Sequence, residues 1–360
     1  MEYVKRTAPF IRKNVSVERM MRDVLIALTP VTLFAMVSFG PDAIIRIFLS
    51  VFICIASEVI VFGLTHKPEV SLDTKGNLKK RYKTFNINNL ITPAITGLIY
   101  SLLLPSTLNL YVVCVGALGA ILLGKLVFGG LGNNIFNPAA IGRVIILICF
   151  ASFFTYSANA DLITSATPLG ALNNLGLTSA ITRFTLTDLL FGNIPGAMGE
   201  INALAILVGA AYLLIRRAAD YKIVVSVLGT SIILFCFAGL GLAINNVIAY
   251  DQILIYVLYQ VLSGGLLFGA VFMATDPVTS PINKYGRYIY GVLISILVVA
   301  IRLFGGFPEG VALAIIFANI FVPLIDYFKI TYKNHPKTTY YILGSLILVF
   351  GGVILLYIGR

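Results

Sequence analysis

Ile55-Ala56-Ser57-Glu58-Val59-Ile60-Val61-Phe62 lies inside an apolar run over residues 43–65, and the reading of that run decides the fold. The run is continuous rather than alternating. It is about as long as the roughly 20 residues a helix needs to cross a bilayer core. A backbone in lipid must satisfy its own hydrogen bonds, so such a run reads as a membrane helix. Similar runs recur along the chain. Spans are expected near residues 23–40, 43–65, 88–105, 108–128, 138–157, 201–216, 222–244, 252–274, 288–304, 310–327 and 339–358, the third with a break at Pro93. Composition agrees: 59% of residues are hydrophobic and only 11% charged, against about 25% charged in a soluble domain. Mean hydropathy is +0.95. The expected fold class is an all-α polytopic membrane protein with about ten or eleven transmembrane helices.

Positive charges set the expected orientation. Lys5, Arg6, Arg12, Lys13, Arg19 and Arg22 precede the first span, and Lys67, Lys75, Lys79, Lys80, Arg81 and Lys83 follow the second. Lys125 and Arg143, then Arg216, Arg217 and Lys222, then Lys284 and Arg287, then Lys329, Lys333 and Lys337 occupy later connections on the same side. The positive-inside rule makes that side cytoplasmic. Opposite connections hold only Arg46, Arg183, Arg302 and Arg360. The net charge of +11 therefore serves orientation and contact with membrane lipid headgroups. No nucleic-acid partner is expected, because aromatic and basic residues do not interleave. The polar, basic first residues carry no signal-peptide pattern. This places the chain in a cytoplasmic membrane with residues 158–200 outside.

Cys54, Cys114, Cys149 and Cys236 each stand alone inside a span, without a CxxC pair. They read as small buried hydrophobes rather than metal ligands. His66 and His335 are isolated at span ends, so no metal is expected.

The phrase Val127-Phe128-Gly129-Gly130 follows the fourth span, and Leu303-Phe304-Gly305-Gly306 follows the ninth, on the opposite face. That is the trace expected of inverted five-helix repeats, which place sites near broken helices at the midplane; the other reading is that Phe-Gly-Gly is a common terminator of spans. The expected organisation is a basic segment 1–22, a first five-helix repeat 23–157, an outer loop 158–200, a second repeat 201–328, and a basic loop with an extra helix over 329–360. Two connections are rich in Gly, Pro and polar residues: 129–143, with Asn137-Pro138, and 273–287, with Asp276-Pro277. Asn-Pro and Asp-Pro mark capped or broken helices.

Glu58 sits eight residues before His66, roughly 12 Å along a helix from its end. A carboxylate at that depth is costly and is read either as part of an ion path or as a structural acid paired with Lys or Arg. Asp276 and Asp326 fall at span ends, where helix capping and ion passage are both open readings. Asn88, Asn89, Thr92 and Thr96 form a polar face on the third span.

The outer loop contains Asp161-Leu162-Ile163-Thr164-Ser165-Ala166-Thr167. It resembles the Asp…Ser/Thr-Gly/Ser-Ala-Thr motif on which a flavin transferase esterifies FMN; read without the resemblance, it is a Ser/Thr-rich surface loop. Taken with Gly124-Lys125, Val127-Phe128-Gly129-Gly130, Asn137-Pro138-Ala139…Gly142-Arg143, Met273-Ala274-Thr275-Asp276-Pro277 and Phe317-Ala318-Asn319…Asp326, it makes the chain resemble a known family. That family contains the D component of the Rnf electron-transport complex and the B component of the sodium-pumping NADH:quinone reductase. The resemblance implies covalent FMN on Thr167, within a motif that includes Asp161, Ser165 and Ala166. It admits a second, non-covalent flavin such as riboflavin. It also implies an ion path for Na⁺ or H⁺ through Glu58, Asp276 and Asp326. The implied partners are the iron–sulfur and NADH-binding subunits of an Rnf complex, a second flavin subunit, and the flavin transferase. The short N-terminus looks more like the Rnf protein than its quinone-reductase relative. Ser165 where Gly is frequent, and the apolar segment 339–358, depart from the family pattern. The competing readings are a small-solute channel or secondary transporter without a redox cofactor, and a purely structural anchor.

Overall fold

Ser16 opens the first helix by accepting a hydrogen bond from the Arg19 N–H at 3.2 Å. The structure is a computed structural model, and it describes residues 16–65, 82, 85–156, 167–305, 310–331 and 336–358. The first half of the chain forms α1 (Val17–Phe39), α2 (Pro41–Thr65), α3 (Asn88–Leu102), α4 (Leu110–Leu122) and α5 (Pro138–Cys149). Two outer helices follow, α6 (Pro168–Arg183) and α7 (Leu186–Phe191). The second half forms α8 (Ala203–Arg216), α9 (Tyr221–Ile244), α10 (Ile253–Leu262), α11 (Leu266–Met273), α12 (Lys284–Phe304), α13 (Val311–Thr331) and α14 (Pro336–Ile358). The described residues contain no strand.

Every apolar run expected to span is helical, but the runs differ in length. Among the described residues, six helices are long and apolar enough to cross a membrane, and α10 with α11 makes a seventh span if the bent pair is counted as one. Pro138–Cys149, Ala203–Arg216 and Val311–Tyr327 are apolar but shorter. The break in the third span falls after Leu102 rather than at Pro93, which is buried inside α3. Outward-facing apolar side chains supply the lipid surface: Val37 is 82% exposed and Ile215 80%. A contiguous surface of this kind is out of place in water and at home in lipid.

Helix pairing follows the two halves. Within them, α2 packs on α3 and α4, α4 on α5, α9 on α10 and α12, and α12 on α13. Between them, α1 packs on α8 and α5 on α13, so first meets first and last meets last. Close approach requires small residues. A Cβ on Gly97 of α3 would stand 2.8 Å from Val51 Cα, and Ser50 Oγ donates to the Gly97 carbonyl at 2.9 Å across the same contact. Outside these pairs, α14 lies against α9 and α12.

Broken segments inside the bundle leave carbonyls that no helix satisfies, and in lipid these must find protein partners. After α3, the Leu102 and Leu104 carbonyls accept from the Gly199 and Met198 N–H groups at 2.7 and 3.0 Å. Arg46 Nε donates to the Leu108 carbonyl at 2.7 Å. Between α10 and α11 the axis bends by 58°. There Arg302 donates to the carbonyls of Gln260 (2.6 Å), Ser263 (3.2 Å) and Gly264 (2.8 Å). Arg46 and Arg302, expected as charges of the outer connections, are buried residues that bind broken backbone.

Candidate functional site

Two cavity systems lie at opposite ends of the antiparallel α1–α8 pair. One is bordered by Met20, Met21 and Val24 at the start of α1 and by Leu213 near the end of α8. The cavity is open to its surroundings, and together with the space at its mouth it measures about 820 Å³. Its polar lining is Thr92, Thr96, Lys125, Asn134, Asn137, Thr275 and Asp276. The two Gly/Pro-rich connections meet here, held by short-range capping. Asn137 Oδ1 accepts from the Ala140 N–H at 3.2 Å, with Pro138 pre-set for the first turn of α5. Its Nδ2 donates to the Met273 carbonyl at 3.1 Å. With its amide oriented to suit its neighbours, Asn319 of α13 accepts from the Asn137 N–H at 3.0 Å. Asp276 accepts from the Val278 N–H at 3.3 Å and from Thr279 Oγ1 at 3.1 Å, closing the turn after α11.

Glu58 stands behind this cavity, and it is paired. Lys125 Nζ lies 2.9 Å from Glu58 Oε1 and 2.9 Å from Thr92 Oγ1. The Lys125 and Glu58 side chains are only 3% and 5% exposed. The second carboxylate oxygen, Oε2, is buried without a hydrogen-bond partner. Of the two readings open for Glu58, this geometry is that of the Lys-paired acid. It also corrects the placement of Lys125, which is not a headgroup-facing charge of a connection. Arg143 is corrected likewise: it is buried in α5, with its guanidinium 4.3 Å from the Phe154 ring centroid and Nη2 donating to Tyr156 at 3.1 Å. Asp326 does not line the cavity. Its Oδ2 accepts from the Ile282 N–H at 3.1 Å, so it anchors the connection between α11 and α12. Asn88 and Asn89 lie outside the lining too, which leaves Thr92 and Thr96 as the part of the polar α3 face that reaches it.

At the other end, Thr167 is the N-cap of α6, its Oγ1 accepting from the Gly170 N–H at 3.2 Å. Asp161, Ser165 and Ala166 lie outside the described residues. Thr167 opens on a pocket of about 280 Å³ bordered by Leu169, Pro195, Glu200 and Gly264. A neighbouring pocket of the same size joins Glu200 and Gly264 to Arg143 and Met273, and Met273 is the residue whose carbonyl Asn137 holds. Gly264 adopts φ +68°, and a Cβ there would stand 2.2 Å from Leu169 Cδ1, so the α10–α11 break and the start of α6 fit together only through glycine. Glu200 was not singled out from the sequence. The signal available was an isolated acid in Met198-Gly199-Glu200-Ile201, next to an apolar run.

The four cysteines are free. Cys54 is the fully buried one, donating to the Ala117 carbonyl at 3.7 Å, whereas Cys149 is exposed on the outer surface rather than packed inside. Among the described residues no group of three or more His, Cys, Asp or Glu side chains is arranged to hold a metal.

Against known proteins, the model of the NQR2, RnfD, RnfE family matches residues 4–334. The chain is 32% identical over 333 residues to the D component of the proton-translocating ferredoxin:NAD(+) oxidoreductase complex of Clostridium ljungdahlii, covering 89% of this chain and 93% of that one. It is 38% identical over 245 residues to the B component of the Na(+)-translocating NADH-quinone reductase of Chromohalobacter salexigens, covering 65% of this chain and 57% of that one. The corresponding protein from Pseudomonas aeruginosa is 36% identical over 242 residues, with 66% and 59% covered. The match thus spans little more than half the length of these quinone-reductase relatives.

Proposed function

Because the chain belongs to the NQR2, RnfD, RnfE family, we propose that it is the flavin-carrying membrane subunit of an ion-translocating ferredoxin:NAD⁺ oxidoreductase complex of the Rnf type. The observation that carries the reading is the family match over residues 4–334, with Thr167, the last residue of the motif, at the start of α6, whose first helical stretch runs to the kink at Gly176.

The residues fit a covalent FMN in three respects. Thr167 is only half-buried, so its hydroxyl is open to a flavin transferase. An anionic phosphoester on Oγ1 is favoured at a helix N-terminus, where the first N–H groups and the helix dipole are positive. The adjoining pocket measures about 280 Å³ with the open space at its mouth included, so it does not enclose a flavin. Glu200 within it opposes a phosphate. Both features direct the flavin outward, toward a partner protein of the complex. When bound, FMN supplies a carrier between one-electron and two-electron partners.

The coupling ion is Na⁺ or H⁺, on a path past Asp276 and Glu58. Asp276 borders the large cavity and Glu58 stands behind it; Asp326 acts at its edge by holding the 277–283 connection. The iron–sulfur and nicotinamide sites belong to other subunits. By the excess of Lys and Arg, the end with the large cavity faces the cytoplasm and Thr167 faces outward.

The test is flavin fluorescence of the chain on a denaturing gel, after co-expression with the matching transferase. Thr167→Ala and Thr167→Asn should both lose the signal, and Thr164→Ala should keep most of it. Thr167→Asn keeps a good N-cap, so its loss of flavin cannot be laid to a frayed α6. A fluorescent Thr167→Asn chain would sink the assignment.

A further inference from the structure

Lys125 occupies the place where a metal cation would sit. Its ammonium touches two oxygens, Glu58 Oε1 and Thr92 Oγ1, each at 2.9 Å. A third oxygen on the same carboxylate, Glu58 Oε2, is buried and has no hydrogen-bond partner. Together these make a compact set of hard oxygen donors with one formal negative charge, suited to a monovalent cation. The ammonium is a compact charge on a flexible four-carbon stem. Lys125 also lines the large cavity, into which that stem can swing, and the cavity carries a second carboxylate, Asp276, together with Asn134 and Asn137.

We propose that Lys125 is a tethered substitute for the transported cation: it holds the Glu58–Thr92 site between transport events and is displaced into the cavity, toward Asp276, when a monovalent metal cation binds. The inference rests on the reading of Glu58 as an ion-path acid and adds Thr92 as a ligand and Lys125 as the competitor. The charge beside Glu58 is conserved, since one positive charge replaces another there; the bundle as a whole gains the charge of the bound ion, which the carboxylate of Asp276 offsets where the displaced ammonium meets it. It also answers a physical difficulty. An acid inside the bundle with no counter-charge is costly whenever the ion is absent, and the tethered ammonium removes that cost without closing the site. A permanent structural pair needs neither an orphaned oxygen nor a cavity beside its lysine.

The test measures sodium-dependent transport by the assembled complex in vesicles, with choline chloride holding ionic strength constant. Lys125→Gln removes the competitor, so the half-saturating sodium concentration should fall at least tenfold. An unchanged or higher value overturns the proposal, as does a wild-type complex whose transport is indifferent to sodium. Where Lys125→Gln fails to assemble, the wild-type complex decides: acetylation of Lys125 by acetic anhydride, read by mass spectrometry, should rise with sodium over choline. Modification that ignores sodium overturns the idea. Glu58→Gln separates the two layers of the argument. If it transports with wild-type sodium dependence per assembled complex, the ion-path reading of Glu58 fails. If it is impaired while the Lys125 measurements stay flat, only displacement fails.

Discussion

Single residues in this bundle carry charge where lipid and apolar packing forbid it, and each is held by a specific partner. Glu58 and Lys125 are the deepest case, with a 2.9 Å contact between side chains only a few per cent exposed. Burying two ions is expensive, and their attraction offsets that cost only while both are present. Removing one partner should therefore cost more than removing both. Glu58→Gln or Lys125→Met alone is expected to lower stability by about 3–5 kcal/mol. The double substitution should recover most of that loss. Thermal unfolding in detergent checks this, and equal losses in the singles and the double would show that the pair is not coupled. The sequence made Glu58 conspicuous, because an acid eight positions inside an apolar run stands out. It hid the partner, since Lys125 sits 67 positions away at what reads as the end of a different span. Only the turn after α4, which folds back beneath Pro138, brings the two together.

The elements show why apolar runs of similar length in sequence become helices of different length in space. Pro105 follows the end of α3, and the 198–199 backbone takes over its carbonyls. The expected span 138–157 stops at Cys149, where Phe150 and Phe153 turn the chain against Tyr111 at ring separations near 6 Å. Hydropathy reads such segments as full spans because the residues beyond each break are still apolar. It cannot register that a carbonyl has been handed to Arg46 or Arg302. The same α10–α11 break meets the start of α6 through Gly264, whose missing Cβ leaves room for Leu169. Gly264→Ala forces a left-handed alanine, at about 1–2 kcal/mol, and pushes Leu169 away. The start of α6 should shift with it, and Thr167 with that. In-gel flavin signal per unit of protein is expected to fall in Gly264→Ala although the 161–167 motif is untouched. Full labelling of that variant would mean that the transferase reads the loop independently of the break beneath it.

At the scale of the whole molecule, the two halves pair first with first and last with last, and each half carries a broken third element served by a buried arginine. That arrangement places the large cavity at one end of α1 and Thr167 at the other, α1 being 23 residues, or roughly 35 Å. On the proposed reading, a flavin on Thr167 and an ion entrance beside Glu58 lie toward opposite ends of α1. Between the two ends lies a column formed by Glu200, Gly264, Arg143, Met273 and Asn137, whose members share pockets or hydrogen bonds. The arrangement depends on orientation, for which the asymmetry of Lys and Arg is the argument. With Lys125, Arg143, Arg46 and Arg302 removed from the tally as buried residues, the rule rests on the runs at 5–22, 67–83, 216–222, 284–287 and 329–337. By the order of the spans these runs are expected on one side, opposite residues 157–200. A single cysteine at Ala160 and another at Thr74, each in a cysteine-free background, should react with an impermeant maleimide from opposite sides of sealed vesicles. Ala160 should label in right-side-out vesicles and Thr74 only in inverted ones. Labelling of both from the same side would refute the orientation, and with it the placement of flavin and ion entrance on opposite faces.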